Sequence, residues 1–307
     1  MASAPDPAAV RRRILRWYSR NGRPFPWRDT RDPYRILLSE IMLQQTQADR
    51  VAGQLPKFLE KFPDIVALAG ASKADVLRAW KGMGYNNRAV RLHGAVKEVM
   101  AGYNGSVPCD TDELAALPGI GRYTAHAIAC FAHGRKVPVV DVNVRRVLSR
   151  IFHRMDSAGG TISHRYAWEL AARILPADAY EWNQAVMDFG AMVCTARNPK
   201  CPSCPLGDAC LSAGRIRNRV SNGTDPTRAK AEPSYRGIPR RTWRGKIVEA
   251  LRGSRKGLAT EDLLRIVRPS GRAPSSKWLN DIVARLERDG VVSVRRVRGR
   301  TAVSLAP

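Results

Sequence analysis

The chain has 307 residues, room for about two domains, and its 44% hydrophobic content is enough to bury a core, which excludes a globally disordered protein. It carries 52 Lys plus Arg against 27 Asp plus Glu, a formal net charge of +25, which points to a polyanionic partner, nucleic acid first. No apolar run approaches the roughly 18 residues of a membrane helix, and the N-terminal "MASAPDPAAVRRRILRWY" lacks the continuous apolar stretch of a secretory signal, so a soluble, cytoplasmic protein is expected.

In chain order, "AAVRRRILRWYSR" reads as an amphipathic helix, and "RILLSEIMLQQTQADRVAGQLPKFLEKF" supplies one or two more. "SKADVLRAW" opens on a Ser cap and is followed by the glycine-punctuated "KGMGYNNRA". "RLHGAVKEVMAGY" is a further helix, and "DTDELAALPGIGRYTAHAIACFAHG" reads as helix, tight glycine turn, helix. "DVNVRRVLSRIF", "SHRYAWELAARIL" and "EWNQAVMDFGAMVC" complete a helical series with almost no period-two strand before residue 290. The polar stretch 213–235 reads as a linker. Beyond it, "RTWRGKIVEALRG", "TEDLLRIV" and "SSKWLNDIVARLERDG" form three helices, and "VVSVRRVRGRTAVSLAP" forms a two-stranded ribbon. Helix, helix, helix, hairpin is a winged-helix order, and 18 Lys plus Arg against 6 Asp plus Glu over 236–307 favour contact with DNA over a solvated helical cap.

Four features carry chemistry. Glu40 sits in "LLSEIMLQQTQ", where its helical neighbours at three and four positions are Ile36, Leu37, Leu43 and Gln44. A carboxyl on so apolar a face is either a salt-bridged residue at a core edge or a functional acid. "LPGIGRYTA" places Gly119 and Gly121 between two helices, where backbone N–H groups can approach a DNA phosphate without reading bases. Asp141, about twenty residues on, stands between an apolar run and a helix start, where it can cap that helix and still be a catalyst. Lastly, Cys194, Cys201, Cys204 and Cys210 follow the spacing C-x6-C-x2-C-x5-C. Four thiolates so close need a metal to offset their repulsion, and the spacing by itself leaves zinc and iron–sulfur open. Cys109 and Cys130 stand apart and read as small buried residues.

Taken together, "FPWRDTRDPYRILLSEIMLQQTQ", "GMGYNNRA", "LPGIGRYTAHAI", "VVDVNVRRVL", "WNQAVMDFGAMVC" and the Cys quartet make the chain, from about residue 8 to 212, resemble the MutY adenine DNA glycosylases of the helix-hairpin-helix, iron–sulfur superfamily that includes endonuclease III. The resemblance implies an all-α, two-lobed helix-hairpin-helix glycosylase core over 1–212 with a [4Fe–4S] loop at 194–210, followed by the 213–235 linker and a basic winged-helix-like domain at 236–307. It also implies that Glu40 protonates N7 of a flipped adenine and that Asp141 stabilises the oxocarbenium-like sugar. Gln44, Gln45 and Tyr85 are then expected to enter the gap left in the duplex, although Tyr85 taken alone reads as a core aromatic. Trp27, Arg28, Gly119, Gly121 and Asp188 join them as DNA or substrate contacts, and Tyr123 and Asn143 join the catalytic pair. Tyr123 occupies the place where endonuclease III-like enzymes carry a Schiff-base lysine, which implies a monofunctional enzyme acting as a monomer on mismatched or damaged double-stranded DNA.

The chain departs from the family pattern in three places. A basic winged helix stands where many relatives carry a Nudix-like domain, so recognition of 8-oxoguanine is not implied. Val142 replaces a glycine beside Asp141, and Asn86 replaces a second tyrosine after Tyr85. The winged helix is expected to add phosphate contacts through Arg295, Arg296, Arg298 and Arg300, with the catalytic pocket complete without it. A thymine or uracil mismatch glycosylase on the same scaffold is the nearest rival reading, and a non-catalytic iron–sulfur DNA-binding regulator the more distant one.

Overall fold

The structure, a computed structural model, describes residues 5–155, 160–213, 215–216, 232–235, 237–267, 276–297 and 300–307. Most of the 213–235 linker and Arg298 at the ribbon tip therefore lie outside the described residues. Through the first two thirds of the chain every described regular element is helical. The helices are α1 (Pro7–Asn21), α2 (Pro33–Leu43), α3 (Ala48–Lys61), α4 (Ile65–Gly70), α5 (Lys73–Ala79), α6 (Asn87–Tyr103), α7 (Thr111–Ala116), α8 (Arg122–Phe131), α9 (Val142–Phe152), α10 (His164–Arg173) and α11 (Ala179–Met192). The C-terminal part adds β1 (Ser234–Tyr235), β2 (Ile238–Pro239), α12 (Arg240–Arg252), β3 (Leu258–Ala259), α13 (Thr260–Ile266), α14 (Ser276–Arg288), β4 (Val292–Val297) and β5 (Arg300–Leu305).

Short polar side chains begin many of these helices by taking up N–H groups that the first turn leaves unbonded. Asp6 accepts from the amides of Ala8 and Ala9 at 2.9 and 3.0 Å, Ser72 from Asp75 at 3.1 Å, Asp178 from Glu181 at 3.1 Å and Asp141 from Val144 at 2.7 Å. The long "RILLSEIML…" stretch is two helices. It breaks after Leu43 because Gln45 turns into the left-handed region at φ +56°, and α3 restarts at Ala48.

The chain gathers into two compact units. The first comprises the described residues of Met1–Leu37, Cys109–Ala115 and Ile120–Thr224, and the second those of Leu38–Pro108, Ala116–Gly119 and Asp225–Pro307. In the first, Val10 and Ile14 of α1, one helical turn apart, bury against Leu148 and Ile151 of α9 and Trp182, Val186 and Phe189 of α11. In the second, Val76 and Leu77 of α5 and Leu92, Val96 and Val99 of α6 are fully buried.

Within that second unit the C-terminal residues form their own layer. Trp243, Ile247 and Leu251 of α12 and Leu279, Ile282 and Leu286 of α14 are buried together with Val292, Val303 and Leu305 of the sheet. The order helix, strand, helix, helix, strand, strand is that of a winged helix, as the pattern of elements predicts. The predicted two-stranded ribbon is, however, a three-stranded sheet in the order β3-β5-β4, with Leu258 opposite Val303 and Ala259 opposite Ala302. β3 has two residues, as do β1 and β2, too few to show the alternation by which a strand is read. Arg295, Arg296 and Arg300 of the ribbon are exposed. Among the described residues no helix is long and apolar enough to cross a membrane.

Candidate active site and cysteine loop

In the first unit the site is built on the N-terminus of α9. Asp141 is the cap. Its Oδ1 accepts from the Val144 amide at 2.7 Å and its Oδ2 from Asn143 Nδ2 at 2.8 Å. Asn143 is held in turn by Arg146, whose Nη2 donates to Asn143 Oδ1 at 2.8 Å and to the Gly190 carbonyl at 2.7 Å, while its Nε donates to the Cys194 carbonyl at 2.9 Å. Gly190 lets α11 come close enough for this, since a Cβ there would lie 2.8 Å from Asn143 Cβ. Burial pushes the Asp141 carboxyl above the usual carboxylate range. The hydrogen bonds from Val144 and Asn143 and the charge of Arg146 offset part of that rise. Tyr123 stands half-buried in the first turn of α8, and Gly121 caps that helix.

The remaining catalytic candidate belongs to the second unit. Glu40 is 3% exposed in α2, in a sequence run of buried residues from Ile36 to Met42. The end of this helix is organised by a residue that sequence reasoning missed. Arg88, in the first turn of α6, is 4% exposed. Its Nη1 donates to the carbonyls of Ile41 and Met42 at 3.1 and 2.7 Å and also to that of Gln44. Its Nη2 donates to Thr46 Oγ1 at 2.9 Å and to the Met83 carbonyl at 3.0 Å. One guanidinium thus satisfies the open C-terminal carbonyls of α2 and ties the Gln45 turn to the loop before Tyr85. Burial lowers its pKa to about 10, which leaves it cationic at neutral pH. The only signal in the sequence was an arginine following two asparagines, and that pattern reads as a solvated helix start.

Gln44 Nε2 donates to the Gly119 carbonyl at 3.2 Å, so two of the predicted DNA contacts meet. Gly119 has φ +79° and a Cβ there would lie 2.7 Å from Arg91 Cβ, so both backbone and space require glycine. Gln45 and Tyr85 are exposed, and both adopt left-handed backbone, at φ +56° and +42°. Neither is a residue type for which that conformation is easy, and strain of this kind collects at functional sites. They line one cleft of about 710 Å³ with Thr46, Asn86, Arg240 and Arg241.

Three of the residues carried over by resemblance, Asp188, Trp27 and Arg28, lie around one ion-pair cluster of the first unit. Asp188 is fully buried, and both its oxygens are taken up by arginines. Arg23 donates from its backbone N, Nε and Nη2 at 3.0, 2.9 and 2.6 Å, and Arg28 donates from Nη1 and Nη2 at 2.7 and 2.9 Å. Trp27 is 7% exposed and stacks on Phe25 with ring centroids 4.7 Å apart. Asp188 therefore ties the 23–28 loop to α11 through Arg23 and Arg28, and Trp27 packs within that loop against Phe25. Burial alone would raise the Asp188 carboxyl, but the hydrogen bonds from Arg28 and Arg23 hold it below the usual range. Because the folded-state pKa is depressed, its stabilisation is present above the ordinary carboxylate pKa and is lost as pH falls through the folded value. Asp188→Asn leaves Arg28 buried with its partner weakened, and a loss of about 3–5 kcal/mol in urea unfolding at neutral pH is expected, shrinking toward acid.

The four cysteines of the 194–210 loop line a single small cavity together with Arg150 and Lys200. Among the described residues no three His, Cys, Asp or Glu side chains are grouped to hold one metal ion. A [4Fe–4S] cluster takes four Cys thiolates, and the lining of this cavity supplies four. Burial pushes the Cys204 thiol up to about 11 and raises Cys210 as well, with neighbouring cysteines adding to both. Four thiolates are stable there only with bound metal to carry the opposing charge. Arg150, 1% exposed, braces the loop from inside, donating to the carbonyls of Thr195 and Ala196 at 2.7 and 2.9 Å and to Cys194 Sγ at 3.4 Å.

A helical scaffold with a glycine hairpin, a capping aspartate and a four-cysteine loop is matched by known base-excision DNA repair proteins. Residues 38–173 match the model of the HhH-GPD superfamily base excision DNA repair protein, and residues 194–210 match the iron–sulfur binding domain of endonuclease III. The chain is 43% identical over 243 residues to the adenine DNA glycosylase of Mycobacterium tuberculosis (strain CDC 1551 / Oshkosh), covering 78% of each chain. It is 38% identical to that of Mycolicibacterium smegmatis over 95% of this chain and 94% of that one, a match that extends into the winged helix. Among solved structures, a thermostable thymine-DNA glycosylase superposes with a TM-score of 0.61 at 34% identity, covering 66% of this chain and 94% of that one. The chain belongs to the adenine DNA glycosylase family; it is a DNA-binding glycosylase of base excision repair, and its cysteine loop carries a [4Fe–4S] cluster.

Proposed function

We propose that the protein removes adenine mispaired with guanine or 8-oxoguanine, hydrolysing the N-glycosidic bond of a flipped nucleotide without cutting the strand. Kinship with adenine DNA glycosylases over nearly the whole chain carries this reading, together with the buried carboxyl of Glu40. Adenine leaves poorly as an anion, so the acid must deliver a proton to N7. Asp141 stays ionised and faces the positive charge that grows on the sugar as the bond breaks. Gln44, Gln45 and Tyr85 fill the space vacated in the stack, and the Gly119–Gly121 turn grips a phosphate. Residues 1–212 act as the catalytic core and 236–307 as an appended domain. The protein works as a monomer in the cytoplasm, on mismatched chromosomal DNA. The likeness to a thymine-DNA glycosylase favours one rival, excision of thymine or uracil on the same scaffold.

The deciding experiment incubates the protein with duplexes carrying A, T or U opposite G or 8-oxoguanine and scores abasic sites. Release of A alone supports the proposal, and release of T or U in place of A overturns it. With Tyr123 at the lysine position, borohydride is expected to trap no covalent complex on DNA, and strand breaks should appear only after alkali or heat. Efficient trapping would mean that another amine attacks the sugar.

The raised carboxyl of Asp141 sets a pH expectation. Excision requires Asp141 ionised, so the rate should fall as pH drops through its folded-state pKa. Asn143→Ala removes a hydrogen bond that holds the carboxyl down. The acid limb of the single-turnover profile is therefore expected at higher pH in that variant. A limb that does not move detaches Asp141 from the acid side of the profile.

A further inference from the structure

Within the second unit, the winged helix is fastened to the segment that carries Tyr85. Arg252, the last residue of α12, has a side chain only 10% exposed and points out of its own module. Its Nε donates to the Leu77 carbonyl at 3.0 Å, its Nη2 to Asn86 Oδ1 at 2.8 Å and its Nη1 to Glu249 Oε2 at 2.7 Å. Glu249 in turn pairs with Lys81 at 2.9 Å. Gly290, after α14, comes so close to α6 that a Cβ on it would lie 3.3 Å from Val90 Cγ1.

Asn86 directly follows Tyr85. The loop before it is unusual, with Gly82, Gly84 and Tyr85 all in left-handed backbone. Its inner side is held by the core, since the Gly84 carbonyl accepts from Trp80 Nε1 at 3.0 Å and Arg88 holds Met83. Asn86 is 9% exposed and its side chain makes no capping bond at the start of α6, although asparagine commonly serves there. The partner the structure gives its amide oxygen is Arg252. Asn86 is also the position where this chain departs from the second tyrosine of the family pattern.

We propose that Arg252, acting through Asn86, is a positioning residue for base excision: the winged helix forms the outer support of the Tyr85 loop and holds that side chain at the angle it needs to enter the duplex. The proposal rests on the reading of Tyr85 as the wedge. It reverses the expectation that the catalytic pocket is complete without residues 236–307. A desolvated guanidinium bonded to a buried amide forms a stronger contact than an exposed ion pair, so the support is concentrated in the Arg252–Asn86 bond and not in Lys81–Glu249.

The test uses the full-length, iron-loaded protein with Arg252→Ala, Asn86→Ala, the double variant, Arg252→Lys and Lys81→Ala. Three quantities are read: single-turnover base removal at saturating protein, fluorescence of 2-aminopurine placed at the target position as a report of extrusion, and duplex affinity. Arg252→Ala and Asn86→Ala are each expected to slow base removal by about 10- to 100-fold and to weaken extrusion, with duplex affinity nearly kept. The double variant should be no slower than the worse single one, because both break the same bond. Arg252→Lys should recover little, since an ammonium cannot span acceptors on two sides, and Lys81→Ala should behave as wild type. Asn86→Ala changes no residue of the winged helix and leaves Arg252 its bonds to the Leu77 carbonyl and Glu249, so it keeps the test valid if Arg252→Ala unfolds that module. Wild-type rate and extrusion in Asn86→Ala, or losses that add in the double variant, overturn the proposal. Normal extrusion by wild-type protein that releases no adenine would overturn the adenine reading alone.

Discussion

Glu40→Gln is expected to cut base excision by about 100- to 10,000-fold while leaving the fold and duplex binding in place. The substitution keeps the size of a side chain that is 3% exposed, so the packing of α2 has no reason to change. In the proposed mechanism, what disappears is the proton that makes adenine a leaving group. The C-terminal end of α2 is fixed independently, by Arg88 on the Ile41, Met42 and Gln44 carbonyls, so Gln44 and Gln45 keep their places. Single-turnover adenine release and a binding titration on the same duplex separate the two effects. Excision at the wild-type rate removes Glu40 from the mechanism, and loss of binding in step with loss of excision reassigns it to structure.

The second large effect concerns the cluster. Purified protein is expected to be brown with about four irons per chain, and Cys201→Ser to lose that iron. The consequence reaches beyond colour. The loop is braced by Arg150 on Thr195 and Ala196, and the Cys194 carbonyl is an acceptor for Arg146, which orients Asn143 against Asp141. Without iron, buried thiols must stay protonated, and the loop loses the metal centre that ties its four cysteines together. Weaker DNA binding and a lower unfolding midpoint should accompany the loss of iron. A colourless wild-type preparation with stoichiometric zinc would contradict the cluster, and an iron-free Cys201→Ser variant of unchanged stability would show that the loop folds without it.

The helices, their caps and the cysteine ligands were legible from the chain because each is set by local chemistry. Ser72 and Asp141 cap the helices that follow them, as short side chains able to accept from N–H groups two or three residues on. The apolar face around Glu40 was readable from helical spacing, since neighbours at three and four positions share a face. Sequence could not settle which arginines would be buried. Arg88, Arg146 and Arg150 are each under a tenth exposed, yet in sequence they are indistinguishable from the many arginines that give this chain its charge. Their acceptors are backbone carbonyls from distant segments, and a carbonyl has no side-chain signature. The same limit hid the ion pairs of Asp188. It stands in a motif that resembles DNA-contacting ones, and its partners lie some 160 residues away in Arg23 and Arg28.

What the sequence by itself determined is therefore the class of chemistry. An acid in an apolar helix, a capping aspartate, four cysteines at metal-binding spacing and a surplus of positive charge are properties of residue type and short spacing, and the resemblance to the glycosylases adds iron over zinc and the missing lysine at Tyr123. Tertiary structure alone decided how the parts are held. Left-handed backbone at Gln45 and Tyr85 persists only because contacts from elsewhere over-determine it. The winged helix, separated from the core in sequence by a polar linker, reaches Asn86 through one arginine. Such contacts depend on which carbonyls and amides the folded chain leaves unsatisfied in a dry interior, and a buried polar group must find a partner wherever the fold supplies one. That requirement becomes specific only after the chain has closed around it.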